Sequence, residues 1–235
     1  MSAVLCGLVL TGCGAKEIKP DQAFSTARDE LGSASSAKVD FNLESGELRL
    51  AGQAQETYAG GTDLSAHFDV SRPVLVDDAI VVDQNTWLRR SGSDTWTAAS
   101  VAASPLTPTQ RQPAGNLDLL DPMRFLKLGI QGWNTLQQDD PSHPGTHYKT
   151  TCMFSVPGQG CSISDLGSLS VSFPDTSQMD LDLWLDDKGM PTYLQAKVPA
   201  PYNARVVMAS GPVTVTMAFS DYGKPVTITK PARTG

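Results

Sequence analysis

Reactive side chains are sparse in this 235-residue chain, and their spacing limits the chemistry they can do. There are three histidines, His67, His143 and His147. His67 sits in an alternating stretch, whereas His143 and His147 flank Pro144-Gly145. A helix that turned those two onto one metal ion could not run through that proline and glycine. All three are read as surface histidines. No Gly-x-Ser-x-Gly elbow is present. Ser35-Ser36-Ala37-Lys38 has Ser-x-x-Lys spacing and reads as a helix-end turn. Asp180, Asp182, Asp186 and Asp187 could be calcium ligands, but a calcium loop needs a further oxygen ligand and then glycine where Trp184 and Leu185 stand. Because these aspartates alternate with leucines, they are expected on the solvated face of a strand. Nothing in the spacing favours a carboxylate pair for glycoside hydrolysis. The expectation is a chain without catalytic residues, metal or cofactor.

The cysteines carry a different chemistry. Cys13 follows Leu10-Thr11-Gly12, and these four residues resemble the bacterial lipobox, whose cysteine thiol takes a diacylglyceryl group. The apolar run from Ala3 to Leu10 is too short to cross a bilayer and has the length of a signal-peptide core. Such signals open with positive charge, and no Lys or Arg precedes Ala3, so the true start is expected upstream. Cys6 would leave with the signal. Cys152 and Cys161 remain, and a disulfide across that short loop suits an oxidising compartment. No other Cys or His pair has zinc spacing.

Composition narrows the partners. The formal net charge is -7 and the pI about 4.8, which excludes the basic stripe that nucleic acid requires. The same charge opposes docking on anionic head groups, so any membrane attachment is covalent or hydrophobic. Hydrophobic residues are 40% of the chain, enough for a real core.

These groups need a scaffold, and the scaffold is mostly β. A short helix is expected from Pro20-Asp21, with Asp21 as cap, Phe24, Ala27 and Leu31 on one face, and Gly32 as stop. The period then becomes two: Val39, Phe41, Leu43; Leu48, Leu50; Leu64, Ala66, Phe68, Val70. Val74 to Val82, Trp87-Leu88-Arg89 and Asp94 to Thr97 continue the meander. Ser104 to Pro113 reads as a loop. Asp121-Pro122 opens a second helix containing Met123, Phe125, Leu126 and Leu128, ended by Gly129. Strands are expected again at Leu169 to Phe173, Met179 to Leu185, Leu194 to Val198, Val213 to Phe219 and Val226 to Thr229, with a hairpin turn at Asp187-Lys188-Gly189. The fold class is α+β, mainly β: one large curved antiparallel sheet, a half-open barrel, with a few helices. Its domains are a signal at 1–12, the lipidated cysteine and tether at 13–20, and a single domain at 21–232.

Leu183-Trp184-Leu185-Asp186-Asp187-Lys188-Gly189-Met190-Pro191 resembles a hairpin of the LppX/LprAFG lipoproteins of actinobacteria. The run from Phe219 to Pro231 resembles that family's closing strands, and Trp87-Leu88 with Trp96 its middle hairpin. The resemblance covers most of the chain after the tether and is weakest between Val101 and Ser142. It implies a LolA/LolB-like sheet around an apolar cavity, a lipid or other hydrophobic small molecule as ligand, and transfer through the cell envelope. It also implies anchoring on the extracytoplasmic face of the cell membrane, with a membrane transporter as a possible partner; the alternative is an envelope sensor or adaptor without cargo. The residues expected to line the cavity are Phe41, Leu43, Leu48, Leu50, Leu64, Phe68, Met123, Leu126, Leu181, Leu183, Val215 and Met217. Ser104 to Pro113 and the helix from Met123 to Leu128 are expected at its mouth.

Two acyl chains on Cys13, at about 0.8 kcal/mol per buried CH₂, would hold the chain stably at a bilayer, whereas one would not. The Cys13→Ala variant should therefore move from the membrane fraction to the soluble fraction on cell fractionation. Retention in the membrane pellet would refute the anchor.

Overall fold

A computed structural model of the chain describes residues 18–46, 48–72, 75–99, 117–154, 161, 177–199 and 212–232. Cys13, the loop from Ser104 to Pro113 and the expected strand from Leu169 to Phe173 lie outside these residues.

Eleven strands form one antiparallel sheet. They are β1 (Ser36–Ser45), β2 (Leu48–Thr57), β3 (Asp63–Arg72), β4 (Val76–Val82), β5 (Asn85–Arg90), β6 (Trp96–Ala99), β7 (Trp133–Gln138), β8 (Thr146–Met153), β9 (Gln178–Leu185), β10 (Pro191–Val198) and β11 (Val213–Ser220). The order across the sheet is β6-β5-β4-β3-β2-β1-β11-β10-β9-β8-β7. Two meanders, one from each half of the chain, are thus sewn together by β1 and β11. The sheet ends at β6 on one side and β7 on the other and does not close.

Alternation decides which face is inside, because successive strand residues point to opposite sides. Across the central seam Val39 faces Phe219, Phe41 faces Met217 and Leu43 faces Val215. The row continues as Met217 opposite Leu194, Leu194 opposite Leu183, and Leu183 opposite Tyr148. All of these side chains are buried and belong to one apolar cluster. A slip of one residue would carry every one of them to the other face, so burial fixes the register.

Two helices cover this face. Helix α1 (Ala23–Ala34) buries Ala23, Phe24, Ala27 and Leu31, the stripe expected from the sequence. Helix α2 (Pro122–Gln131) buries Phe125, Leu126 and Leu128. The helices pack on each other, α1 touches β1 and β9, and α2 touches β8. The Phe125–Leu128 face of α2 is therefore built into the core and is not free to act as a lid. Asp121 caps α2 by accepting from Met123 N–H at 3.0 Å, with Pro122 at the first helical position.

Several boundaries differ from the sequence reading. Pro20–Gln22 is a 3₁₀ turn, so Asp21 is not a cap, and the cap position of α1 is Gln22 without a side-chain bond. Helix α1 runs past Gly32 to a left-handed Ser35, and α2 runs past Gly129 to Gln131. Val226 to Thr229 is not a strand. Both edges of β1 are already taken by β2 and β11, and Pro225 and Pro231 lack the N–H a ladder needs. The segment is tied instead by Ser36, whose hydroxyl donates to Lys224 O at 2.7 Å while its carbonyl accepts from Gly223 N–H at 3.0 Å.

Cys152 and Cys161 form the expected disulfide, with Cα atoms 5.4 Å apart, and both are buried. A short closed loop of this kind contributes on the order of 2–3 kcal/mol.

Two glycines permit close docking. A Cβ on Gly189, in the β9–β10 turn, would lie 2.7 Å from Thr26 Cγ2 on α1, and this residue has φ +88. A Cβ on Gly129 would lie 2.0 Å from Phe24 Cδ1, in the crossing of the two helices. Alanine ordinarily favours a helix over glycine by about 1 kcal/mol. Gly129→Ala should nevertheless destabilise the protein by about 1–3 kcal/mol through overpacking, measured by denaturant unfolding. A gain in stability would show that the helices do not meet through Phe24.

Candidate functional site

Ten of the twelve expected cavity residues come together on the inner face. Phe41, Leu43, Leu50, Leu64, Phe68, Leu126, Leu181, Leu183, Val215 and Met217 are all buried in the single apolar cluster. Phe41 and Phe68 meet edge to face, ring centres 5.5 Å apart. Met123 is partly buried against the same cluster. The side chain of Leu48 lies outside the described residues.

One end of this face opens into a cavity of about 630 Å³. Its apolar walls are Leu64 of β3, Val81 of β4 and Leu117, and Leu64 and Val81 are direct cross-strand partners. Its rim is polar: Thr62 and Asp63 from the β2–β3 turn, Asp83 and Gln84 from the β4–β5 turn, and Asp121 and Arg124 from α2. Asp121 is the junction. Besides capping α2 it accepts from Thr62 Oγ1 at 2.8 Å and pairs with Arg124 Nε at 3.3 Å. One carboxylate thus fixes the helix start against the β2–β3 turn. Asp63 steadies the opposite turn by accepting from Asp83 N–H at 3.1 Å, where Asp83 and Gln84 both have positive φ.

Behind this rim lies an acid that the sequence reading did not single out. Glu56 occupies an inward position of β2, directly opposite Leu64, and is fully buried. Tyr58, two residues on and on the same face, donates its hydroxyl to Glu56 Oε2 at 2.8 Å. Glu56 Oε1 has no hydrogen-bond partner among the described residues. Burial pushes the Glu56 carboxyl well above the usual glutamate range; the Tyr58 hydrogen bond opposes this, and the charge of Asp121 adds to it. Burial likewise raises the Tyr58 phenol, with Glu56 the next cause. The period-two pattern around Glu56 (Leu50, Ala54, then Glu56 and Tyr58) could have revealed a carboxyl on the apolar face.

The outer face carries the histidines. His67 is exposed, as expected, and pairs with Asp78 at 2.9 Å, which raises its pKa; Arg89 binds the other Asp78 oxygen. His147 corrects the expectation. It lies in β8, is only 3% exposed, and its Nε2 sits 2.9 Å from Asp182 Oδ1. Its ring stacks on Trp184 at 4.1 Å, and Trp184 donates to Asp140 O at 3.3 Å. Asp182 and Trp184 are therefore buried, not solvated, because the loop between β7 and β8 folds over them. His143 in that loop stacks on Tyr193 at 3.5 Å. Among the described residues, no group of three or more His, Cys, Asp or Glu side chains could hold a metal ion.

No family model matches the sequence, and no curated protein matches it either. Solved structures do. LprF from Mycobacterium bovis aligns over 91% of this chain and 97% of its own, with a TM-score of 0.52 at 13% identity. The Mycobacterium tuberculosis lipoprotein LppX aligns over 89% and 98%, with a TM-score of 0.51 at 9% identity. The chain has the LprF/LppX fold. A LolA-superfamily protein from Nitrosomonas europaea covers 91% of the chain at a TM-score of only 0.31, too distant to carry an argument. At these identities the LprF/LppX likeness fixes the architecture and leaves the ligand open.

The buried acid gives a pH signature. A carboxyl whose folded pKa is raised stabilises the fold fully below its unfolded value, near 4.5, and loses that contribution as pH rises toward the folded value. Gln keeps an oxygen for Tyr58 and does not titrate. Glu56→Gln should therefore unfold at higher denaturant than wild type at neutral pH, with the advantage shrinking as pH falls through 4.5. A pH-independent difference would mean that Glu56 is not held protonated in the folded protein.

Proposed function

We propose that this chain is an exported lipoprotein, anchored through Cys13 on the outer face of the cell membrane, that binds a lipid or other hydrophobic ligand for transfer through the envelope. The observation that carries the reading is an open eleven-stranded sheet whose apolar face is served by only two long helices, in a fold shared with the lipoprotein LppX. The lipobox-like Leu10-Thr11-Gly12-Cys13 and the buried Cys152–Cys161 bridge agree with export.

The energetics restrict what such a site does. Burying a sixteen-carbon tail from water is worth about 12 kcal/mol gross. A tail taken from a bilayer leaves an environment that is already apolar, so the net hydrophobic gain is small. The apolar face then shields the tail in transit, and discrimination falls to polar contacts at the rim. The cavity bounded by Leu64, Val81, Asp121 and Arg124 is our candidate for that rim. It has an apolar floor joined to the core and a polar border drawn from three separate elements.

A second reading, an envelope sensor or adaptor without cargo, is favoured by one observation. Leu43, Leu181, Leu183, Val215 and Met217 have 0% exposure, so they are packed against protein in this conformation. The readings separate by experiment. Cys13→Ala protein, purified as the full chain without added lipid, should carry a lipid mass in native mass spectrometry. It should also release that mass to acceptor vesicles. A clean protein mass that also fails to take up a fluorescent fatty ester would leave the adaptor reading standing.

A further inference from the structure

The β7–β8 hairpin holds a second polar cavity, of about 460 Å³, on a different part of the molecule from the rim described above. It is lined by Gln137, Gln138, Asp139 and Asp140 on one arm and by Thr146 and His147 on the other, with no lysine or arginine among its walls. His147 is the deepest of these side chains and is 3% exposed. Its Nε2 lies 2.9 Å from Asp182 Oδ1, and a carboxylate only accepts, so that nitrogen carries the proton. The other nitrogen, Nδ1, is then a lone-pair donor atom. It is buried and has no hydrogen-bond partner. The nearest charged atom is Asp140 Oδ2 at 3.8 Å, across the cavity wall.

An acceptor nitrogen and a carboxylate oxygen facing each other at that separation have nothing to donate to one another. A buried unpaired acceptor costs about 1–3 kcal/mol, which a bound cation would offset. We propose that this hairpin binds a borderline divalent transition cation of the zinc or cobalt kind between His147 Nδ1 and Asp140 Oδ2. Metal–nitrogen and metal–oxygen bonds are roughly 2.0–2.2 Å, so an ion bonded to both atoms at 3.8 Å sits just off the line joining them. Imidazole with one carboxylate selects such ions over calcium or magnesium, which prefer oxygen-only shells. Asp182 is the orienting carboxylate behind the imidazole, fixing its tautomer and ring plane. Trp184, stacked on the opposite face of β9's contribution, holds the ring in place. Two protein side chains leave the rest of the shell to water, with Asp139 and Gln138 lining the same space. The chain's three other aspartate-rich runs offer no comparable buried nitrogen, since His67 is exposed and His143 is engaged with Tyr193.

The ring stacking supplies a reporter, because a paramagnetic ion on His147 lies beside Trp184. Full-length protein in detergent is titrated with Co²⁺ while tryptophan fluorescence is followed. The expected result is saturable quenching with one ion per chain, reversed by Zn²⁺ and untouched by Mg²⁺ or Ca²⁺. Asp140→Asn should weaken binding tenfold or more, and it keeps the turn because an amide oxygen still accepts from Ser142 N–H. Asp182→Asn should weaken it by roughly ten- to a hundredfold, and His147→Gln should abolish it. Absent or unsaturable quenching overturns the proposal. So does Asp140→Asn protein with wild-type affinity, or a Trp184 response to acid alone, which would mean that the pocket takes only a proton.

Discussion

The pairing of β1 with β11 is the constraint on which everything else rests. Each half of the chain makes its own meander by local hairpins, which are cheap to close. The two halves become one sheet only at this seam, between residues nearly the whole chain apart. Its register places Val39, Phe41 and Leu43 opposite Phe219, Met217 and Val215. That single alignment carries the apolar row of the N-terminal strands onto the row formed by Leu194, Leu183 and Tyr148. The same step positions both helices, since α1 precedes β1 in the chain and rests on β1 and β9, astride the seam.

A sheet this wide sets a problem for the helices. α1 and α2 must sit close together to share its inner face, and Gly129 allows it by accepting the Phe24 ring where any side chain would collide. Their approach leaves the β3–β4 end of the face to be finished by turns and by Asp121, not by another helix. Polar groups gather there for that reason. Glu56 is the extreme case, an acid within the apolar wall with Tyr58 as its one hydrogen-bonded neighbour. A neutral carboxyl costs far less to bury than a carboxylate, and it introduces a hydrogen-bonding atom into a surface that otherwise discriminates only by shape.

Much of this was legible in the sequence, for a simple reason. Period-two patterns over Val39 to Leu43, Met179 to Leu185 and Val213 to Phe219 report directly on an inner face, and all three runs lie there. The stripe Phe24, Ala27, Leu31 and the Asp121-Pro122 helix start were equally plain. What failed was anything decided by a distant segment. Asp182 and Trp184 alternate with leucines and so read as solvated, but the loop carrying Asp140 and His143 returns over them. Alternation distinguishes the two faces of a strand; it does not say whether the second face is covered. β7 was missed because Trp133 to Gln138 has few apolar residues, and its strand conformation comes from pairing with β8. Val226 to Thr229 erred the other way, with strand-like residues and no free edge to join.

The covered outer face of β8 and β9 has a consequence for how the fold works. On the inner face the contacts are apolar and tolerate exchange of one hydrocarbon for another, so they confer little discrimination. On the outer face His147, Asp182 and Trp184 form a directional cluster in which each group has one permitted orientation. β9 belongs to both: Leu181 and Leu183 point inward while Asp182 and Trp184 point outward from the same stretch of backbone. Its inward side chains can shift with a ligand only as far as that backbone moves, and the outer cluster holds the backbone through hydrogen bonds and stacked rings. A wall that must accommodate variable hydrocarbon is thereby fastened from behind at β9, while the β3–β4 end, finished by turns, is the part of the sheet with freedom to adjust.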